Sequence, residues 1–174
     1  MGSTANPISN LCSAVFSLIW LFFFYKYSNP ALSGSCYADK VDGTWTHVDD
    51  PTLATPGMED VSAKMAAWCF WGFVFCSISA ATNFFVVLIP RISFKLYIAM
   101  VQLILMVSLA NGLASLVWFI WGLFIYYGGA ANTCNDHLQG ASSVMFWFYT
   151  LTWIMLGLSC CIGCCAVIVA AAIK

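Results

Sequence analysis

Nine cysteines in 174 residues are the densest set of reactive groups in this chain, and their spacing sorts them. Cys160, Cys161, Cys164 and Cys165 stand at positions i, i+1, i+4 and i+5. On a helix these cover an arc of about 140 degrees, so all four thiols share one face. Three chemistries suit such a face. Reversible S-palmitoylation needs only thiols near a membrane surface, which makes the four cysteines lipidation candidates. Close helix packing suits the ladder Gly157, Cys161 and Cys165, small residues four apart. A zinc or iron–sulfur site has the least support, because one continuous helix does not arrange tetrahedral ligands and no second Cys-x-x-Cys follows. No metal or cofactor is expected.

The other cysteines separate by surroundings. Cys12, Cys69 and Cys76 lie in apolar runs and read as small packing residues. Cys36 and Cys134 lie in two polar loops, and on the oxidising side of a membrane they can form a disulfide that ties those loops together; two free thiols, or a thiol bonded to a partner, are the alternatives. His47 with Asp49 and Asp50, joined by His137 from the second loop, is a conceivable metal set. His-x-Asp-Asp matches no specific site geometry, so a solvated loop is the simpler reading. No convergent acid, base and nucleophile are visible, and a non-enzymatic protein is expected.

The elements that carry these groups are four long apolar runs, roughly Leu11 to Tyr25, Met65 to Ile89, Leu96 to Tyr127 and Val144 to Ile173. With 62% hydrophobic and only 7% charged residues, the chain lacks the polar coat of a soluble domain. Most runs reach the ~20 residues that a helix needs to cross the hydrocarbon core; the first is near the lower limit. Period-2 alternation is absent, which argues against a β-barrel, and hydrocarbon leaves helices as the alternative. The expected fold is all-α: an integral membrane four-helix bundle with spans near 11–27, 63–89, 95–127 and 142–173. One larger outer loop, 28–62, joins spans 1 and 2; a second outer loop covers 128–141, and an inner turn covers 90–95. Without a basic patch, no nucleic-acid partner is expected.

Charge placement orients the spans. The turn from Pro90 to Lys95 carries Arg91 and Lys95 and no acid, and Lys174 ends the chain on the same side. The positive-inside tendency makes that face, and both termini, cytoplasmic in a plasma membrane or endomembrane. All seven acids fall on the other face, together with Lys26, Lys40 and Lys64. Residues 1–10 carry no positive charge, so the first run reads as a retained span instead of a signal peptide. Met1-Gly2-Ser3-Thr4-Ala5-Asn6 is a weak match to a myristoylation start, with Asn6 where Ser or Thr is preferred. Trp20, Trp68, Trp71, Trp118, Trp121, Trp147 and Trp153 all fall toward the outer ends of their runs. They read as an aromatic layer packing the helix ends, with a ligand-binding cage as the alternative.

Within the runs there is no charged residue and no histidine, which argues against proton or cation coupling. The polar residues left are Asn83, Gln102 and Asn111. Asn83 and Gln102 stand at similar depth on either side of the inner turn and can bond across it. Asn111, beside Gly112 and with Ser108 and Ser115 on its stripe, suits close helix packing or the lining of a pore. Ser108 and Gly112, like Gly157 and Cys161, are spaced for close helix contact. The third run is longer than a bilayer is thick and must tilt, kink at Gly112 or project. In the first loop, Gly43-Thr44-Trp45-Thr46-His47 can form a short strand pair or dock on the bundle.

Four spans, a longer first outer loop, a short inner turn, one cysteine in each outer loop and inner cysteines after the last span resemble the MARVEL-type and claudin-like four-span proteins, over most of the chain. The claudin Gly-Leu-Trp signature with two close loop cysteines is missing, as is the tetraspanin Cys-Cys-Gly. The resemblance implies a membrane-organising, vesicle or accessory role and transfers no individual residue. The expected partners are the lipid bilayer and other membrane proteins or further copies of the chain, engaged by lateral association. The alternative is a homo-oligomeric channel or small-solute pore lined by Asn111 and Ser108.

Overall fold

The computed structural model describes residues 7–29, 35–48, 52, 57–134 and 136–172. The myristoylation-like start, Asp49, Asp50 and Lys174 lie outside the described residues. Four long helices dominate: α1 (Pro7–Tyr27), α2 (Val61–Ile92), α3 (Phe94–Tyr126) and, after the short α4 (Gly129–Cys134), α5 (Gln139–Ala172). Between α1 and α2 stand β1 (Tyr37–Val41), β2 (Thr44–Val48) and β3 (Glu59–Asp60). The all-α expectation therefore holds for the long helices and fails in the loop. Stretches in α2, α3 and α5, namely Val61–Val86, Ile98–Tyr126 and Gly140–Leu158, are long and apolar enough to cross a membrane. The corresponding stretch of α1, Val15–Tyr27, is shorter.

The sheet exists because Asp42 and Gly43 take positive φ, 49° and 85°, as the tight turn of a two-residue hairpin requires. β1 and β2 pair antiparallel from Val41 with Thr44 to Tyr37 with Val48, and β3 adds to the other edge of β1 through Ala38 with Glu59. The strand order is β2-β1-β3. β3 leads directly into α2: Asp60 Oδ1 accepts from the Ala63 backbone N–H at 2.9 Å and from the Ser62 hydroxyl at 2.6 Å. That carboxylate caps the Ala63 N–H, a donor which the first helical turn leaves unpaired. Lys64 pairs with Glu59 at 2.6 Å on the surface, where both side chains keep solvent contact. Lys64→Met should shift thermal stability by less than about 0.5 kcal/mol, because an exposed ion pair gains little over hydration.

The inner turn is shorter than expected. α2 continues through Pro90 to Ile92, and the break is the single residue Ser93. Proline disturbs the turn that precedes it, through its missing N–H and its ring, and does not oppose helix after it. Ser93 is extended (φ −155°, ψ 113°), and its hydroxyl accepts from the Leu96 N–H at 3.3 Å to open α3. α3 then runs unbroken through Gly112. Its 33 residues make a rod of about 50 Å against a hydrocarbon core of about 30 Å.

α1 lies along α2, α2 along α3, and α5 meets them more sparsely. The buried core gathers at the end that carries the sheet, hereafter the loop end. It contains Trp20, Phe24, Met65, Trp68, Cys69, Trp118, Met145 and Tyr149, with Cys36, Ala38, Cys134 and Leu138 beneath the sheet. Glycines permit this density. A methyl on Gly72 would stand 2.7 Å from the Trp118 ring, and one on Gly122 would strike Trp68 and Tyr149. Toward the opposite, turn end, side chains such as Phe84, Leu103, Met106 and Met155 are exposed.

Candidate functional site

The two polar loops are joined where the sequence placed its paired thiols. Cys36, just before β1, and Cys134, at the end of α4, form a disulfide with Cα atoms 5.9 Å apart. The Cys36 carbonyl also accepts from the Val61 N–H at 3.2 Å, so the same residue anchors the start of α2. Two further contacts clasp the hairpin to the second loop. Trp45 of β2 lies against Gly129, where an added Cβ would fall 2.8 Å from the indole nitrogen. His47 and His137 stack face to face, with centroids 3.9 Å apart and planes 6° from parallel. Trp45 thus does both things foreseen for it: it sits in a strand and it docks. The short helix α4, which carries both Gly129 and Cys134, was not foreseen. Gly129→Val should unseat Trp45, and hydrogen exchange of the β1 and β2 amides should rise by about tenfold, as expected for a contact of about 1.4 kcal/mol.

The same stacking bears on the metal reading. His47 and His137 do come together, but parallel rings send their nitrogen lone pairs along parallel planes instead of to one point. Among the described residues no three His, Cys, Asp or Glu side chains are grouped to hold a metal ion.

The tryptophans divide by burial. Trp20, Trp68 and Trp118 are buried, whereas Trp71, Trp121, Trp147 and Trp153 are exposed on the helix surfaces. Trp68 and Trp118 stack at 4.6 Å, and Phe24 meets both rings edge-on, at 5.3 and 5.6 Å. Trp118 Nε1–H donates to the Trp68 carbonyl at 2.8 Å, and the Tyr149 hydroxyl donates to the Phe119 carbonyl at 3.0 Å. The buried Trp68 Nε1 and the Tyr149 hydroxyl come together over Gly122. These rings fill one another's space. The buried three pack the interior, and the other four lie on helix surfaces.

Among the polar residues of the runs, Asn111 joins two helices. Its Nδ2–H donates to Ser79 Oγ at 2.9 Å and to the Phe75 carbonyl at 3.4 Å, both on α2, while Oδ1 is buried without a partner. Asn83 is half-buried and Gln102 is exposed. Asn111→Leu removes the bond and the orphaned oxygen together, so stability should change by less than about 1 kcal/mol in a detergent unfolding titration.

The small residues singled out for helix packing lie on outward faces of their helices. Ser108, Gly112, Gly157 and Cys161 are exposed, and a Cβ on Gly112 or Gly157 would meet nothing within 4 Å. The close approaches within the chain fall instead at Gly72, Gly122, Gly129 and Gly140. Cys161 is a free thiol, and the side chains of Cys160, Cys164 and Cys165 lie outside the described residues. Cys69 and Cys76 are free thiols, the first fully buried among packed side chains.

Between α1 and α5 a lateral groove of about 640 Å³ opens, with Phe16, Ile19, Phe23 and Tyr27 on one wall and Ser143, Trp147 and Leu151 on the other. Trp20 and Val144 are buried and form its floor. Tyr27 packs on Gly140 at its loop end.

The molecule thus has a clasped loop end, an aromatic interior, a lateral groove and bare helix faces toward the turn end. No known protein family matches this chain. No curated protein and no solved structure matches it either.

Proposed function

We propose that this is a non-enzymatic, four-span integral membrane protein that acts by lateral association, as an accessory or structural subunit of a larger membrane complex or as a membrane organiser. The observation that carries the reading is the state of its small-residue stripes. Ser108 and Gly112 on α3, and Gly157 and Cys161 on α5, are exposed, and a Cβ on either glycine would meet nothing within 4 Å. In a bilayer, lipid tails are as apolar as leucine, so helices associate through close backbone approach at such small residues. A monomer that had used these stripes internally would have none left to offer. The clasped outer loops supply a rigid extramembrane surface for partner choice, and the four helices, α1 included, make the bundle. Both termini face the cytoplasm on the charge distribution.

The pore alternative draws less support, because the Asn111 amide turns to Ser79 and Phe75 instead of to a lumen. Native mass spectrometry of the full chain from mild detergent tests association directly. Oligomers or a stoichiometric complex are expected, weakened at least tenfold in Gly112→Leu and Gly157→Leu. A monomer under every condition, unchanged by either substitution, would sink the proposal. A selective conductance lost in Asn111→Leu would replace it with the pore.

A further inference from the structure

We infer that the groove between α1 and α5 is a binding site for one membrane sterol, entered sideways from the outer leaflet. The inference rests on the membrane-spanning reading and adds a ligand to it. From Phe16 to Tyr27 the groove follows α1 for about 16 Å, half of a hydrocarbon core of about 30 Å, which is the depth of one leaflet. Its volume of about 640 Å³ lies within the range of small-molecule sites, roughly 300 to 1,000 Å³.

The lining is graded along that depth. Phe16, Ile19 and Leu151 make the deep part wholly apolar, and Tyr27 and Ser143 bring hydroxyl groups to the loop end. No charged side chain lines it. Tyr27 is held there by its packing on Gly140, where a Cβ would stand 3.1 Å from Oη. The walls include the aromatic side chains of Phe16, Phe23 and Trp147, residue types that pack well against a rigid apolar body. A sterol has this form: an apolar fused-ring body one leaflet long with a single neutral hydroxyl at headgroup depth. Lys26 Nζ stands 5.2 Å over the Tyr27 ring at the loop end, so a phospholipid headgroup would meet a cation there; it suits the groove less well because its flexible chains lose more entropy on ordering than a rigid ring system does.

The test uses the full chain in phosphatidylcholine nanodiscs with a diazirine-bearing cholesterol analogue as the probe. Saturable labelling confined to α1 and α5 peptides is expected, competed by unlabelled cholesterol and reduced at least fivefold in Ile19→Trp, which fills the groove from an exposed position. Leu151→Trp should do the same from the opposite wall if the first variant fails to fold, as judged by its disulfide mobility shift on a non-reducing gel. Leu103→Trp, on α3, should leave labelling unchanged. Labelling spread equally over α3, absence of competition, or indifference to both groove variants would overturn the site. So would competed labelling of the groove by a photoreactive phosphatidylcholine. Oligomers that persist while sterol labelling fails would refute this inference alone, whereas failure of the chain to incorporate into the nanodisc bilayer would refute the spanning reading beneath it.

Discussion

Cys36→Ser or Cys134→Ser lowers the stability of the protein by about 2 to 4 kcal/mol, the range typical of a lost native disulfide. The bond closes a loop between residues 98 apart, for which the chain-entropy model gives about 4.7 kcal/mol. Membrane anchoring already restricts the unfolded chain, so the effect falls below that figure. The loss has a defined location. Cys36 lies just before β1 and its carbonyl meets the Val61 N–H, while Cys134 ends α4. Breaking the bond therefore loosens the hairpin from the second loop, leaving Trp45 on Gly129 and the His47–His137 stack to hold them. Unfolding in mixed micelles with increasing dodecyl sulfate, followed by tryptophan fluorescence, measures the shift. Each serine variant should match wild type treated with reductant. A variant as stable as the oxidised wild type would show that the clasp does not depend on the covalent link.

Trp68→Ala costs about 3 kcal/mol, at the lower end of the range for deleting a buried aromatic side chain. In a bilayer the transfer contribution shrinks, because the unfolded reference places the ring in lipid; what is lost is packing around a cavity. Trp68 is fully buried, stacked on Trp118 and edge-on to Phe24 and Phe148, and it lies over Gly122. No neighbour can fill such a hole without abandoning its own contacts. The comparison that makes this diagnostic is Trp121→Ala. Trp121 belongs to the same helix end as Trp118 but is 37% exposed, and its loss should change stability by less than about 0.5 kcal/mol. Near-ultraviolet circular dichroism should fall sharply in the first variant only, since the stacked pair holds its indoles in a fixed asymmetric environment. Equal effects of the two substitutions would mean that the interior is not organised around Trp68.

The contrast between these two tryptophans shows where a one-dimensional reading stops. Trp118 and Trp121 lie three residues apart in the same run, and both mark its outer end. Which of them points inward depends on how α3 is rotated against α2, and in so apolar a helix the one polar cue is the short stripe of Ser108, Asn111 and Ser115; Trp118, seven residues after Asn111, shares the face on which Asn111 meets α2. The glycines behave alike. Gly112 and Gly122 both lie in α3, and spacing alone favours Gly112, which has Ser108 four residues before it. The structure puts Gly122 beneath Trp68 and leaves Gly112 bare, because close approach is set by the crossing of helices at the loop end. The hairpin was partly legible. Asp42-Gly43 is a turn signal with a physical basis in its two positive φ angles, and the segment after it was read as a possible strand. Its edge partner β3, two residues long, and the six-residue α4 carry no periodicity from which to read them.

What the sequence by itself determined about this protein is the number and apolar character of its long helices, their polarity of charge, and the two cysteines that could meet. These follow from local composition: runs of apolar residues require helices in hydrocarbon, and only one cysteine lies in each polar loop. The tertiary structure decided which tryptophans are interior, which small residues remain available on the surface, and that a groove lies between α1 and α5. Those depend on the rotation and crossing of whole helices, quantities that a single run of residues marks only weakly when its faces are nearly all apolar.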